Sequence, residues 1–125
     1  MAKTLALVFG YGFLFMGILG FFSNPLVGST GLFLTDLNHN IVHLLSGTIF
    51  LWVGYGAVSK AGMVMKIFGV VYLLVALLGF MQSGNSLLGI MSSNMADTWL
   101  NVVLGIVILL AGVRASKSPM VTQTM

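Results

Sequence analysis

Four long apolar blocks dominate the chain, about Thr4 to Phe22, Asn40 to Val58, Met63 to Met81 and Thr98 to Val113, and nearly every charge falls between them. At about 1.5 Å per residue, each block crosses or nearly crosses roughly 30 Å of hydrocarbon as a helix. Lipid offers no partner to a backbone amide, so blocks of this kind must satisfy their backbones internally. Lys66 departs from the charge pattern, but it lies about one turn inside its block, where a lysine can snorkel to the interface. The expected fold is therefore all-α: an integral membrane four-helix bundle, with residues 1–125 as a single transmembrane domain. With 58% of residues hydrophobic and 6% charged, no stretch remains for a soluble catalytic domain. The opening MAKTLALVF resembles a signal peptide, yet FFSNPLVG lacks a small-x-small cleavage site, so the first block reads as a retained span. The tail, residues 115–125, contains no apolar block and is expected to be mobile.

The net charge of +3 comes from Lys3, Lys60, Lys66, Arg114 and Lys117 set against Asp36 and Asp97. Phosphate backbones require clustered basic residues with polar neighbours, and these five are separated by apolar blocks, so nucleic acid is not an expected partner. Their placement is topological. The positive-inside rule puts both termini and the short SKAG turn in the cytoplasm and the two longer loops outside. Cysteine and glutamate are absent, which removes disulfides, iron–sulfur ligation and thiol chemistry.

The chain also repeats itself, over about residues 1–60 and 61–117. FGYGFLFMGILGF aligns with FGVVYLLVALLGF, with Phe9/Phe68, Gly10/Gly69, Leu14/Leu73, Leu19/Leu78, Gly20/Gly79 and Phe21/Phe80 identical. In the second helix of each half, Asp36, His39, His43, Gly47 and Gly54 fall opposite Asn94, Asp97, Asn101, Gly105 and Gly112. Two tandem two-span repeats enter the membrane in the same sense, which implies a pseudo-twofold axis along the membrane normal. Every block carries a glycine pair seven apart: Gly10/Gly17, Gly47/Gly54, Gly62/Gly69 and Gly105/Gly112. Two helical turns return each pair to nearly one face, and in lipid such small-residue stripes supply the close contact that holds helices together.

The two histidines and one of the two acidic residues lie within TDLNHNIVHLLSG, Thr35 to Gly47. Steps of three and four place Asp36, His39, His43 and Gly47 on one side of a helix, above the glycine stripe, and the same holds for Asn94, Asp97, Asn101 and Gly105. Asp36 and Asn94 stand where N-caps are needed. HNIVHLLSG and NMADTWLNVVLG resemble the two signatures of a family of small bacterial four-span membrane proteins of unknown function. That family carries N-x-x-H-N-x-x-H-L-x-x-G in the second helix and N-x-x-D-x-x-L-H-x-x-x-G in the fourth. Asp36 replaces the first asparagine, and Asn101 replaces the histidine of the fourth helix, which removes one potential ligand. The resemblance implies a fold and a location, the bacterial plasma membrane, and no activity.

Three readings of the polar column follow from its chemistry. In the structural one, His39 and Asp97 meet near the twofold axis and lock the outer ends of the second and fourth helices by an ion pair or hydrogen bond, within a cluster of Asp36, His39, His43, Asn94, Asp97 and Asn101. In the second, His39 and His43 chelate zinc or copper, with Asp36 or Asp97 as third ligand and Met91 and Met95 as soft ligands for copper. Haem is disfavoured because both histidines lie on one helix. In the third, His39, His43 and Asp97 relay protons or a small solute. The deeper sequence offers little polar continuation beyond Ser46, Thr48 and a few tyrosines. No nucleophile with a base, phosphate loop or HExxH helix is present, so no enzyme is expected. The GYG at Gly10 to Gly12 lacks the surroundings of a potassium filter. The favoured expectation is a structural or accessory membrane component without a cofactor, its partners being the bilayer, its own copies or a larger complex.

Overall fold

A computed structural model describes residues 1–117. Four helices account for most of it: α1 (Ala2–Leu19), α2 (Leu37–Gly56), α3 (Ala61–Met81) and α4 (Met95–Lys117). Between α1 and α2 lie two short strands, β1 (Val27–Gly28) and β2 (Phe33–Leu34), paired in parallel. Between α3 and α4 lie β3 (Ser86–Leu87) and β4 (Met91–Ser92), paired antiparallel. These four small strands are additions to the all-helical expectation. A single 3-10 turn, Val58–Lys60, joins α2 to α3. The fourth helix outruns its apolar block at both ends: α4 begins at Met95 and takes in Ala115 to Lys117, part of the segment expected from sequence to be a mobile tail. Residues 118–125 of that tail lie outside the described residues.

Among the described residues, three segments are long and apolar enough to cross a membrane: α1, Val58–Met81 and α4. The second helix has the length, at 20 residues, but its first two turns carry Asn38, His39, Asn40 and His43, which dilute its apolar character. Large side chains such as Phe15, Trp52, Leu74, Leu77 and Leu110 face outward, each more than half exposed. A surface so rich in bare hydrocarbon is unfavourable in water and compatible with lipid contact.

Two antiparallel helix pairs, α1 with α2 and α3 with α4, form the close contacts. All eight stripe glycines lie at these contacts. A Cβ at Gly10 would stand 2.7 Å from Leu51, one at Gly17 2.7 Å from Leu44, and one at Gly54 2.7 Å from Leu7. At Gly47 it would meet Leu14 and the Gly10 carbonyl, both at 2.8 Å. Each helix thus presents glycines as holes and receives the partner's leucines as knobs. The second pair repeats the arrangement, with Gly105 against Leu73, Gly69 against Leu109, Gly112 against Lys66 and Gly62 against Ser116. The knobs Leu7, Leu14, Leu44, Leu51, Leu73 and Leu109 have no signal in sequence apart from their position opposite a glycine.

Between the pairs the contact is aromatic. Phe50, fully buried, stacks with Phe13 at 5.9 Å and meets Phe68 at 4.8 Å, while Phe13 reaches Tyr72 at 5.2 Å. The Tyr72 hydroxyl shares a buried 3.0 Å hydrogen bond with Ser46 Oγ, so the polar tips on α2 and α3 satisfy one another. On the outer face Tyr11 and Tyr55 likewise share a hydrogen bond of 2.7 Å between α1 and α2.

Candidate functional site

The polar residues gather where α2 and α4 begin, each helix held by its own cap. Asp36 adopts an extended backbone at the N-cap of α2, and its Oδ1 accepts from the His39 amide at 3.0 Å. Asn94 precedes α4, and its Oδ1 accepts from the Asp97 amide at 3.0 Å while Asp97 Oδ2 accepts from the Asn94 amide at 2.9 Å. The second arrangement is a reciprocal capping box, which satisfies amide donors that would otherwise be left bare at a helix start.

The caps also reach across to the opposite half. Asp36 Oδ2 accepts from the Ser92 amide at 3.0 Å, and the Ser92 carbonyl in turn accepts from His39 Nδ1 at 2.7 Å. Asn38 Nδ2 donates to the Ile90 carbonyl at 2.8 Å, and Asn94 Nδ2 donates to the Leu32 carbonyl at 2.9 Å. Leu32 and Ile90 stand at the same 58-residue offset as Asp36 and Asn94. Each loop therefore offers its backbone to polar side chains that cap the other loop's helix. Asn24 and Gln82, again 58 apart, brace the loops from within. Asn24 Oδ1 accepts from the Leu26 and Val27 amides at 2.9 and 2.8 Å, and Gln82 Nε2 donates to the Ser93 carbonyl at 2.7 Å.

Because a carbonyl only accepts, His39 Nδ1 carries a proton, and in the neutral ring Nε2 is left with a free lone pair. Burial alone would push the Asp36 carboxyl up, but the amides of His39 and Ser92 more than offset it and hold the group below the usual carboxylate range. His43 sits one turn below His39, the rings 4.7 Å apart, and its Nδ1 is buried with no hydrogen-bond partner. Both rings line a cavity of about 140 Å3 together with Ser46, Tyr72, Asn101 and Met91.

Two expectations change here. His39 and Asp97 come close enough to interact electrostatically, but each spends its hydrogen bond on backbone, His39 on Ser92 and Asp97 on Asn94. The lock is a set of side chain to backbone bonds between loops, in place of a His39–Asp97 pair. Nor does His39 share a side with the glycine stripe: Gly47 packs on α1 at Gly10 and Leu14, whereas His39 and Ser46 turn toward the cavity beside α3, and His43, between them, meets both that cavity and Phe13 of α1. The four groups Asp36, His39, His43 and Asp97 do not assemble into a metal centre: among the described residues no three His, Cys, Asp or Glu side chains converge for an ion. Met95, the other soft candidate, is about half exposed and does not line the cavity. Sequence reasoning missed Ser92, Asn38, Asn24 and Gln82; a polar pair at the 58-residue register was an available signal for Asn24 and Gln82, whereas Ser92 and Asn38 fall opposite Leu34 and Ala96 and carried none.

The sequence pattern of a family described as a domain of unknown function, DUF4383, matches residues 3–114. The chain belongs to the DUF4383 family. The family assignment agrees with the resemblance drawn from the sequence and carries no activity with it. No curated protein and no solved structure matches the chain.

Proposed function

We propose that this DUF4383 chain is a structural or accessory component of the bacterial plasma membrane, built as a four-helix bundle from two tandem two-span repeats, with both termini cytoplasmic and no catalytic activity or cofactor needed for its role. One observation carries the reading: the polar residues that sequence alone makes suspects are largely engaged in capping helices and joining the two halves. Polar groups near or within lipid need partners, and partnership accounts for Asp36, His39, Asn94 and Asp97 without a substrate. The cap bond recurs at the 58-residue offset, Asp36 to His39 and Asn94 to Asp97, which supports the repeat. Thermal unfolding in mild detergent tests the structural role. Asp36→Ala removes a cap worth about 1 kcal/mol and a charge-assisted bond to Ser92 worth about 1.5–3 kcal/mol, so the melting temperature and the amount of chain in the membrane both fall. Asp36→Ala with wild-type melting would mean that the clasp holds nothing.

A further inference from the structure

The clasp leaves His43 unexplained, together with one face of His39. His43 lies in α2 at 4% exposure, with Nδ1 bonded to nothing, and this is costly in a low-dielectric interior. The cavity beside it is walled by α2, α3, β4 and α4: Val42, Phe68, Val71 and Val75 supply the apolar wall, and His39, His43 and Met91 bring nitrogen and sulfur.

We propose that His39, His43 and Met91 form a binding site for a soft monovalent metal ion, copper(I), in the cavity between the histidines of α2 and the strand β4.

The geometry of the two rings permits a shared ion. A metal–nitrogen bond of about 2.0 Å places an imidazole centroid roughly 3 Å from the metal, so two rings on one ion stand no more than about 6 Å apart. The observed separation is 4.7 Å. The His39 Nδ1 to Ser92 carbonyl bond is the support that ligating histidines generally have: it fixes the tautomer and leaves Nε2 as the donor. Met91 lies next to Ser92 in β4, so the strand that orients His39 also carries the thioether. Donor softness and charge select the metal. Two imidazoles and a thioether suit copper(I), whereas the carboxylates that a harder divalent ion would recruit are occupied by the amides of Ser92 and Asn94. The cost of desolvating an ion rises with the square of its charge, so a monovalent ion entering this largely apolar cavity is penalised by about a quarter as much as a divalent one. Asp97, within electrostatic reach of His39, supplies a counter-charge.

The site goes beyond the structural reading and shares with it the His39–Ser92 bond and the Asp97 carboxylate. The test uses full-length untagged protein in mild detergent, titrated anaerobically with copper(I) against a chromophoric copper(I) chelator, and separately with zinc(II). Wild type is expected to take up one copper(I) per chain with nitrogen and sulfur in its X-ray absorption spectrum. His43→Asn and Met91→Leu should each weaken uptake at least about tenfold, with helical circular dichroism and melting temperature close to wild type. Met91→Leu should also remove the sulfur signal. Absence of stoichiometric uptake by folded wild type, or undiminished affinity in both variants, overturns the site; zinc(II) bound as tightly as copper(I) overturns its assignment to a soft ion. Because the readout is uptake at unchanged stability, its failure leaves the clasp standing, and failure of Asp36→Ala to destabilise leaves the metal site standing.

Discussion

A single carboxylate illustrates how much one side chain does here. Asp36 accepts from its own helix through the His39 amide and from the other half through Ser92, so its charge is used twice. Its carboxyl titrates below the usual range in the folded chain, against about 3.9 when unfolded. The sign is that of a depressed acid: the stabilisation is complete above the unfolded value and disappears as pH falls through the folded one. The melting temperature of wild type in detergent should therefore drop as pH is lowered below about 4, and Asp36→Asn, already weaker at neutral pH, should show a shallower drop. Parallel acid profiles for the two proteins would assign the acid sensitivity elsewhere. At this scale the sequence was legible in part. The caps could be read from Asp36 and Asn94 standing ahead of apolar runs, because capping is local. The partners Ser92, Ile90 and Leu32 could not, because a backbone carbonyl or amide offered by a remote loop leaves no mark on the residue that offers it.

The helices are organised by reciprocal gaps and knobs, and not every glycine carries the same weight. A Cβ at Gly69 would fall 2.6 Å from the Leu109 backbone nitrogen, and backbone cannot rotate aside as a side-chain tip can. A Cβ at Gly12 or Gly56 meets nothing within 4 Å. Gly69→Ala should therefore push α3 from α4 and cost about 1–3 kcal/mol. Gly12→Ala should be neutral or stabilise α1 by up to about 1 kcal/mol, since alanine favours the helix. Unfolding of the two variants side by side in detergent decides the matter, and equal stability would mean that the stripe is incidental to packing. The seven-residue glycine spacing was readable because it is periodic within one helix. The separation of stripe from His39 was not: His39 and Gly47 are eight positions apart, which at 3.6 residues per turn rotates one from the other by about 80°. That angle sends the glycines to α1 and the His39 imidazole toward α3, with His43 between them, its ring 6.1 Å from Phe13 of α1.

For the molecule as a whole, the open point is the second helix, which has the length of a span without the composition of one. Its packing argues for a span. Gly10 faces Leu51 and Gly17 faces Leu44, so α2 runs antiparallel to α1 in step over two turns and lies at the same depth wherever α1 lies. If α1 crosses the bilayer, α2 crosses beside it, with His39, Asn40, His43 and Ser46 buried against protein and its lipid side left to Leu45, Trp52 and Tyr55. A helix with polar residues in its first turns therefore still shows lipid an apolar face, which a hydropathy window, blind to direction, does not register. The consequence is topological. With four spans the two long loops share one side of the membrane and the short turn lies opposite; with three, the loops fall on opposite sides. The chain has no cysteine, so single substitutions at exposed positions report cleanly: Ser29→Cys in the first loop, Ser83→Cys in the second and Ser59→Cys in the turn. In intact spheroplasts a membrane-impermeant maleimide should label Ser29→Cys and Ser83→Cys and spare Ser59→Cys until the membrane is opened. Labelling of only one loop would remove α2 from the bilayer, and with it the common outer layer in which Asp36, His39 and Ser92 meet.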